Sequence, residues 1–207
     1  MKKAARWGIG MGAALGLFAA TSVAWADDPK APPPSKDKSP ATAEPAPGKV
    51  AVGGDAAFVP LIGDLSNAAG PGIGVLGAAG YRPMPSLEVT ARLGYIHHLN
   101  KDFGGGTTGI SQIPALLGAR YHVFPTLSTP YVAAELGPNY VIARSSTGAF
   151  GGGSASSSEL KVGATIGAGY MYKGFDARAQ AFVLDLGHAG DTLALMVNVG
   201  YRFDVVP

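Results

Sequence analysis

The sequence predicts an all-β chain: an eight-stranded antiparallel transmembrane β-barrel behind a disordered Pro-rich N-terminal segment. Three observations carry this. Residues 192–203 read TLALMVNVGYRF, in which Leu193, Leu195, Val197, Val199, Tyr201 and Phe203 share one face. Thr192, Ala194, Met196, Asn198, Gly200 and Arg202 share the other. A period of two marks a strand whose faces meet two different solvents. The pattern recurs upstream about seven times. Secondly, charged residues make up only 14% of the chain and Gly 31 of 207 positions, against roughly 25% charged in soluble domains. Thirdly, the connections between periodic segments alternate between long and short, as in bacterial barrels with long outer loops and tight inner turns.

The first 26 residues read as a signal peptide. Lys2, Lys3 and Arg6 form a basic start, residues 7–23 an uncharged and mostly apolar run, and Ala24-Trp25-Ala26 an A-x-A cleavage signal. Cleavage there removes three of the 16 basic side chains and none of the 14 acidic ones, so the formal +2 becomes slightly acidic. Nucleic acid is excluded as a partner, since binding it calls for a basic patch. The chain has no cysteine, and a closed barrel needs no disulfide framework. No uncharged apolar run of 18 residues follows the signal segment, so strands must do the crossing.

Residues 27–49 (DDPKAPPPSKDKSPATAEPAPGK) hold seven of the chain's 16 prolines and no aromatic or large aliphatic side chain. Such a segment cannot build a core. It reads as a disordered or polyproline-like periplasmic tail, a tether or a binding segment for the cell wall. The barrel domain spans 50–203, with strands at 50–59, 72–82, 87–97, 110–124, 130–142, 159–172, 175–185 and 192–203, and a short extension at 204–207. Of the connections, 60–71, 98–109 and 143–158 are long, while 83–86 (PMPS), 125–129 (PTLST) and Lys173-Gly174 are tight. The Gly- and Ser-rich 143–158 reads as a flexible polar loop with one aromatic, Phe150.

The faces agree from strand to strand. Leu87, Val89, Ala91, Leu93 and Tyr95 oppose Glu88, Thr90, Arg92, Gly94 and Ile96. Phe175, Ala177, Ala179, Ala181 and Val183 oppose Asp176, Arg178, Gln180 and Phe182. The apolar set is nearly charge-free and carries rings at strand ends. A charge facing lipid costs about 2–4 kcal/mol at the bilayer midplane, so that set faces hydrocarbon. Leu195→Arg on this face is therefore expected to hinder folding more than Asn198→Arg on the lumen face.

These residues resemble the small eight-stranded outer-membrane barrels, the family of the OmpA transmembrane domain, OmpX and the opacity-type surface proteins. The resemblance covers about 50–203. It implies export to the outer membrane of a Gram-negative-type bacterium, a monomer in outer-membrane lipid, and insertion by the barrel-assembly machinery. The terminal VNVGYRF looks like the signal that machinery reads, with Val197, Val199, Tyr201 and Phe203 in alternation. The chain runs on past the final aromatic as Asp204-Val205-Val206-Pro207. The resemblance does not extend to a cell-wall-binding domain.

The inward set collects Asp55, Glu88, Arg92, Arg120, Glu135, Lys161, Asp176, Arg178 and Arg202. Eight strands enclose a bore just wide enough for side chains, and buried charges must pair. The expectation is a polar interior plugged by ion pairs, with function carried by loops at the surface. A narrow gated pore or a small-solute binding barrel is the alternative, since swapping pairs would open a path. A lipid-modifying enzyme is the third class: Ser111, His97, His98 and Asp102 lie near the outer rim, but no motif is matched. The chain is read as neither enzyme nor cofactor or metal binder. Adjacent His97 and His98 point to opposite faces of a strand, which argues against joint ligation. His122 and His188 read as interfacial or loop residues. Residues 72–77 match G-x-G-x-x-G, but Pro71, Gly80, Pro83 and Pro85 leave no helix for a dinucleotide site. Those glycines read as close-packing positions.

Overall fold

The computed structural model describes residues 47–147 and 153–205. The expected signal segment with Ala24 and Ala26, the Pro-rich residues 27–46, Phe150, Val206 and Pro207 lie outside the described residues. There are nine strands among them: β1 (Val50–Val59), β2 (Gly72–Met84), β3 (Leu87–His98), β4 (Lys101–Phe103), β5 (Gly106–His122), β6 (Ser128–Thr147), β7 (Ser154–Tyr172), β8 (Phe175–Val183) and β9 (Leu193–Val205). Eight of them close a ring in which each strand pairs antiparallel with the next. β3 pairs with β5 across the short β4, and β9 returns to β1 through Val50↔Val205 to Phe58↔Val197. Ring closure satisfies the backbone groups of the membrane-crossing strands, which hydrocarbon would otherwise leave unpaired. No helix of the described residues is long and apolar enough to cross a membrane; the strands of a barrel cross instead.

Alternation decides which side chains enter. Along β8, Phe175, Ala177, Ala179 and Ala181 point out while Asp176, Arg178, Gln180 and Phe182 are buried. The outer face exposes Leu160 by 71%, Ile166 by 67% and Val75 by 66%. In water each such side chain would forfeit about 25 cal/mol for every Å² of apolar surface left unburied; lipid removes that cost. Tyr81, Tyr121, Tyr170, Tyr172, Phe175, Tyr201 and Phe203 cluster toward the tight-turn end, and Phe58, Tyr95 and Tyr140 toward the loop end. These are the two interfacial girdles of a spanning barrel.

Two inward glycines make room for the large interior side chains. A Cβ at Gly118 would strike the Ala134 carbonyl and Glu135 Cα. One at Gly169 would occupy the place of the Tyr131 hydroxyl. At the β7–β8 turn, Lys173 (φ +49°) and Gly174 (φ +92°) both adopt the left-handed region. That is the two-residue hairpin geometry matching strand twist.

Three features depart from the sequence expectations. Residues 143–158 are not a long loop: β6 continues to Thr147 and β7 begins at Ser154, paired as far as Ser146↔Ser154. The 98–109 connection holds β4, which pairs back on β5 through Lys101↔Thr108. Strands β4 to β7 therefore project beyond the rim as a sheet. Ser and Thr suit strands once a partner supplies cross-strand contacts, as Thr107 and Ser146 do at 2.6 Å. The third departure is the lumen near the loop end, where one wall is apolar: Ala57, Val59, Leu76, Ile96, Phe182, Leu184, Ala194 and Met196 form a buried cluster. Leu61 and Leu65, before and within the one-turn helix α1 (Leu65–Ala68), pack on it from the first loop. Asn198, taken as a tolerant lumen site, is 2% exposed and sits in register opposite Arg178. A second cation there has no room and meets a like charge, so it is no mild control for a lipid-face arginine.

Candidate functional site

The lumen is built around four buried carboxylates. Glu135 from β6 accepts from Arg92 Nε at 2.9 Å and Arg178 Nη1 at 3.1 Å, with a further close contact from Arg92 Nη2. The hydroxyls of Thr90 (3.1 Å) and Thr165 (3.2 Å) donate to it from β3 and β7. Asp55 from β1 meets Arg178 at 3.3 Å and lies 3.7 Å from both Arg92 and Arg202. Asp176 from β8 accepts from Arg120 at 2.9 Å, from Arg202 Nε at 3.0 Å and from the Tyr131 hydroxyl. The Arg120 guanidinium also lies 4.2 Å over the Tyr131 ring, a cation–π contact strengthened by exclusion of water. Glu88 meets Arg82 at 3.1 Å and His122 Nε2 at 3.1 Å, with Arg202 at 3.8 Å.

The structure thus brings Asp55, Glu88, Arg92, Arg120, Glu135, Asp176, Arg178 and Arg202 into one buried assembly. Lys161 does not join it. Its inward register position lies too close to the loop end, where the side chain stays 30% exposed and pairs with Glu159 at 2.7 Å and Asp185 at 3.1 Å. Arg82 takes its place as the fifth cation, at the opposite mouth. It shares the parity of Leu76, Ala78 and Gly80 and lies within the strand read at 72–82, so alternation alone places it inward, although the interior set read from the sequence leaves it out.

His122 is a second correction. It is a buried partner of Glu88, not an interfacial or loop residue, because it shares the inward parity of Arg120. His98 is likewise buried. Its Nδ1 faces the Gly70 carbonyl at 3.2 Å, which makes Nε2 the acceptor for the Gln112 amide at 2.7 Å. Asn139 continues this chain, donating to Gln112 (3.0 Å) and to the Leu184 carbonyl (3.3 Å). These neutral groups cross the loop end of the lumen beside the apolar cluster.

On the outer side of the rim, His97 Nδ1 lies 3.0 Å from Ser111 Oγ, and the Tyr95 hydroxyl donates to the same oxygen at 3.1 Å. His97 and Ser111 are cross-strand neighbours. Among the described residues no carboxylate forms an ion pair with His97, so the pair lacks the third member that would orient a base. Asp102 sits exposed on β4, and the described residues hold no group of three potential metal ligands. Val197, Val199, Tyr201 and Phe203 all lie on the lipid face, with Phe175 and Tyr201 edge-to-face at 5.0 Å.

His188 does lie in a loop, the β8–β9 connection, whose short 3₁₀ turn η1 (Leu186–His188) is capped by Asp185. The carboxylate accepts from the Gly187 amide at 2.9 Å and faces His188 Nδ1 at 3.1 Å. Hydrogen bonds from His188 and Lys161 hold the Asp185 carboxyl below the usual carboxylate range. A depressed carboxyl pKa contributes stability above the unfolded value and loses it as pH falls through the folded value. The turn should therefore keep its cap at a pH near 4, where free aspartate is already half protonated, and loosen only below it. Amide exchange at Gly187 measured from pH 5 downward checks this; the step should vanish in Asp185→Asn, and a step at the ordinary aspartate value would refute it.

Solved structures share this architecture. Ail, the attachment invasion locus protein of Yersinia pestis, matches with a TM-score of 0.52 at 16% identity, covering 76% of this chain and 100% of that one. The same protein in complex with the heparin analogue sucrose octasulfate gives 0.51 at 16% identity, with 76% and 100% coverage. The N-terminal β-barrel domain of Pseudomonas aeruginosa OprF gives 0.45 at 19% identity, with 75% and 99% coverage. No family model matches the sequence, and no curated protein matches it. The chain has the fold of the small eight-stranded outer-membrane β-barrels.

Proposed function

We propose that this barrel resides in the outer membrane as a sealed monomer and works as a surface-interaction protein through the sheet it projects outside the cell. The observation that carries the reading is a contrast between the bore and the sheet. The buried carboxylate–arginine assembly, and the apolar cluster under Leu61 and Leu65 on the loop side of it, support a sealed bore. The projecting sheet is open. β8 pairs with β7 only as far as Val183↔Ala164, so among the described residues no strand covers the outward side of residues 154–160. An exposed strand edge is a template for an extended segment of another chain, the main chain giving affinity and side-chain pockets selectivity. The run Ser154-Ala155-Ser156-Ser157-Ser158 offers small side chains that let another backbone approach. The barrel-assembly machinery is proposed to read Val197, Val199, Tyr201 and Phe203 during insertion. No catalytic role is proposed.

Conductance of the refolded protein in a planar bilayer tests the seal. A silent membrane at neutral pH is expected, and discrete openings would favour the gated pore instead. The edge is tested by proline substitution. Of Ser156→Pro and Ser157→Pro, one removes a donor from the open edge and the other breaks the ladder to β6. The first should abolish adhesion of cells displaying the barrel to a protein-coated surface and leave the unboiled gel shift intact. Adhesion unchanged in both variants would remove the edge from the proposal.

A further inference from the structure

The outward face of the projecting sheet holds a cavity of about 360 Å³, lined by His97, Asn100, Thr107, Ser111, Arg144 and Ser156 among others. Ser111 pairs with His97 in register, Gly109 with Arg144, and Arg144 with Ser156, so these positions share one face. Asn100 comes from the β3–β4 turn. Its Oδ1 lies where a Cβ on Gly109 would stand, which puts the amide beside Arg144. Among the described residues no carboxylate lines the cavity; Asp102, opposite Thr107 on the edge strand β4, lies outside it. Arg144 is exposed and, among the described residues, forms no ion pair and no hydrogen bond. Ser111 is 2% exposed despite its outward parity. The Tyr95 hydroxyl donates to its oxygen, so the serine proton goes to His97 Nδ1. The imidazole then carries its own proton on Nε2, as a donor.

The girdle fixes the height of this cavity. Tyr95 and Tyr140 lie on the same face, Tyr95 two residues below His97 and Tyr140 four below Arg144. With a rise of about 3.3 Å per residue and a strand tilt of about 40°, His97 stands about 5 Å and Arg144 about 10 Å above the girdle. The polar layer of one leaflet is about 5–8 Å deep. The cavity therefore opens at the depth of lipid headgroups, with Arg144 entering from above. A donor-rich lining without a carboxylate fits an anion, and the planar guanidinium matches two oxygens of a phosphate. We propose that this cavity binds the phosphate of a lipid headgroup in the outer leaflet. Arg144 takes the phosphate, His97 Nε2–H and the Asn100 amide complete the donor set, and the hydroxyls of Thr107 and Ser156 meet adjoining headgroup oxygens. Tyr95 and Ser111 are positioning residues that act through the His97 tautomer. A lipid held in this way braces the projecting sheet against the membrane surface. The choice of leaflet rests on the loop end facing the cell exterior, as proposed above; the binding does not.

The test is a lipid titration of the full chain refolded in phosphatidylcholine nanodiscs. Phosphatidic acid, and not diacylglycerol, should shift the Arg144 Nε–H and His97 ring signals to saturation. Arg144→Gln should weaken that binding about tenfold, the equivalent of one charge-assisted hydrogen bond. Lys101→Gln is the control for bulk charge: its ammonium donates to the Ser66 carbonyl at 2.6 Å from the opposite face of the sheet, and binding should not change. Ser111→Ala should shift the His97 ring nitrogens toward the Nδ1–H form, and an unchanged tautomer would refute the positioning role. Soluble glycerol phosphate should bind far more weakly than the lipid. Equal affinity would make this a site for soluble phosphate and overturn the lipid assignment. The absence of a saturable shift, or equal losses in Arg144→Gln and Lys101→Gln, overturns the site itself. The seal and the open edge are unaffected by either result.

Discussion

Glu135→Ala is expected to destabilise the barrel by about 3–5 kcal/mol, the usual cost of removing one member of a buried ion pair. Glu135 is 3% exposed and is the acceptor for Arg92 and Arg178 together. Its loss leaves two guanidinium groups sharing Asp55, at 3.7 and 3.3 Å, inside a ring that water enters only through narrow mouths. Glu135→Gln keeps the volume and one acceptor oxygen and should fall between wild type and alanine. The measurement is the urea midpoint in phospholipid vesicles, followed by the unboiled gel shift. Arg92→Ala combined with Glu135→Ala should cost less than the two separate losses added, because each single change strands the other's charge. Coupling of 0.5–3 kcal/mol is the range for residues in one network. Strict additivity would mean the two groups do not act on each other, and the network described above would be wrong.

The second large effect belongs to the opposite face. Leu136 is 62% exposed on β6, between Tyr140 toward the loop end and Val132 toward the turn end, with Leu117 and Ala164 beside it in register. Leu136→Arg puts a guanidinium near the midplane of the apolar band and should cost about 2–4 kcal/mol. Ser156→Arg, on the exposed projecting sheet, should stay within about 0.5 kcal/mol of wild type. The comparison is made on refolding yield and urea midpoint in the same vesicles. Equal effects would mean that the apolar face does not meet lipid.

The two predictions differ in how far each could be seen from the chain alone. Leu136→Arg needs only parity. Alternation follows from the geometry of an extended backbone, so the faces of β3, β8 and β9 can be read directly. The inward register of all nine charges read as interior follows from the same rule, though only eight are buried in one assembly. The rule gives direction but not height along the bore, which is why Lys161 was grouped with residues it never meets. It also fails where a proline or a Gly/Ser-rich run hides the end of a strand. The strand residues 143–147 and 154–158 escape in that way: composition suggests a loop, but a neighbouring strand supplies the pairing that the local sequence does not encode.

The class of the protein follows from local patterning: a period of two, few charges, alternating connections and a nearly charge-free outer face admit one closed architecture. Which charges meet depends on how the ring closes. Arg178 reaches Asp55 across 123 residues and Arg92 reaches Gln180 across 88. Those distances are set by the stagger and tilt with which eight strands close, a property of the whole ring. The same closure put His122 against Glu88, stacked the apolar cluster above the ion pairs, and left β7 longer than β8, which opens the edge. Side-chain direction is local and survives in the sequence; side-chain partnership is global and appears only once the ring is shut.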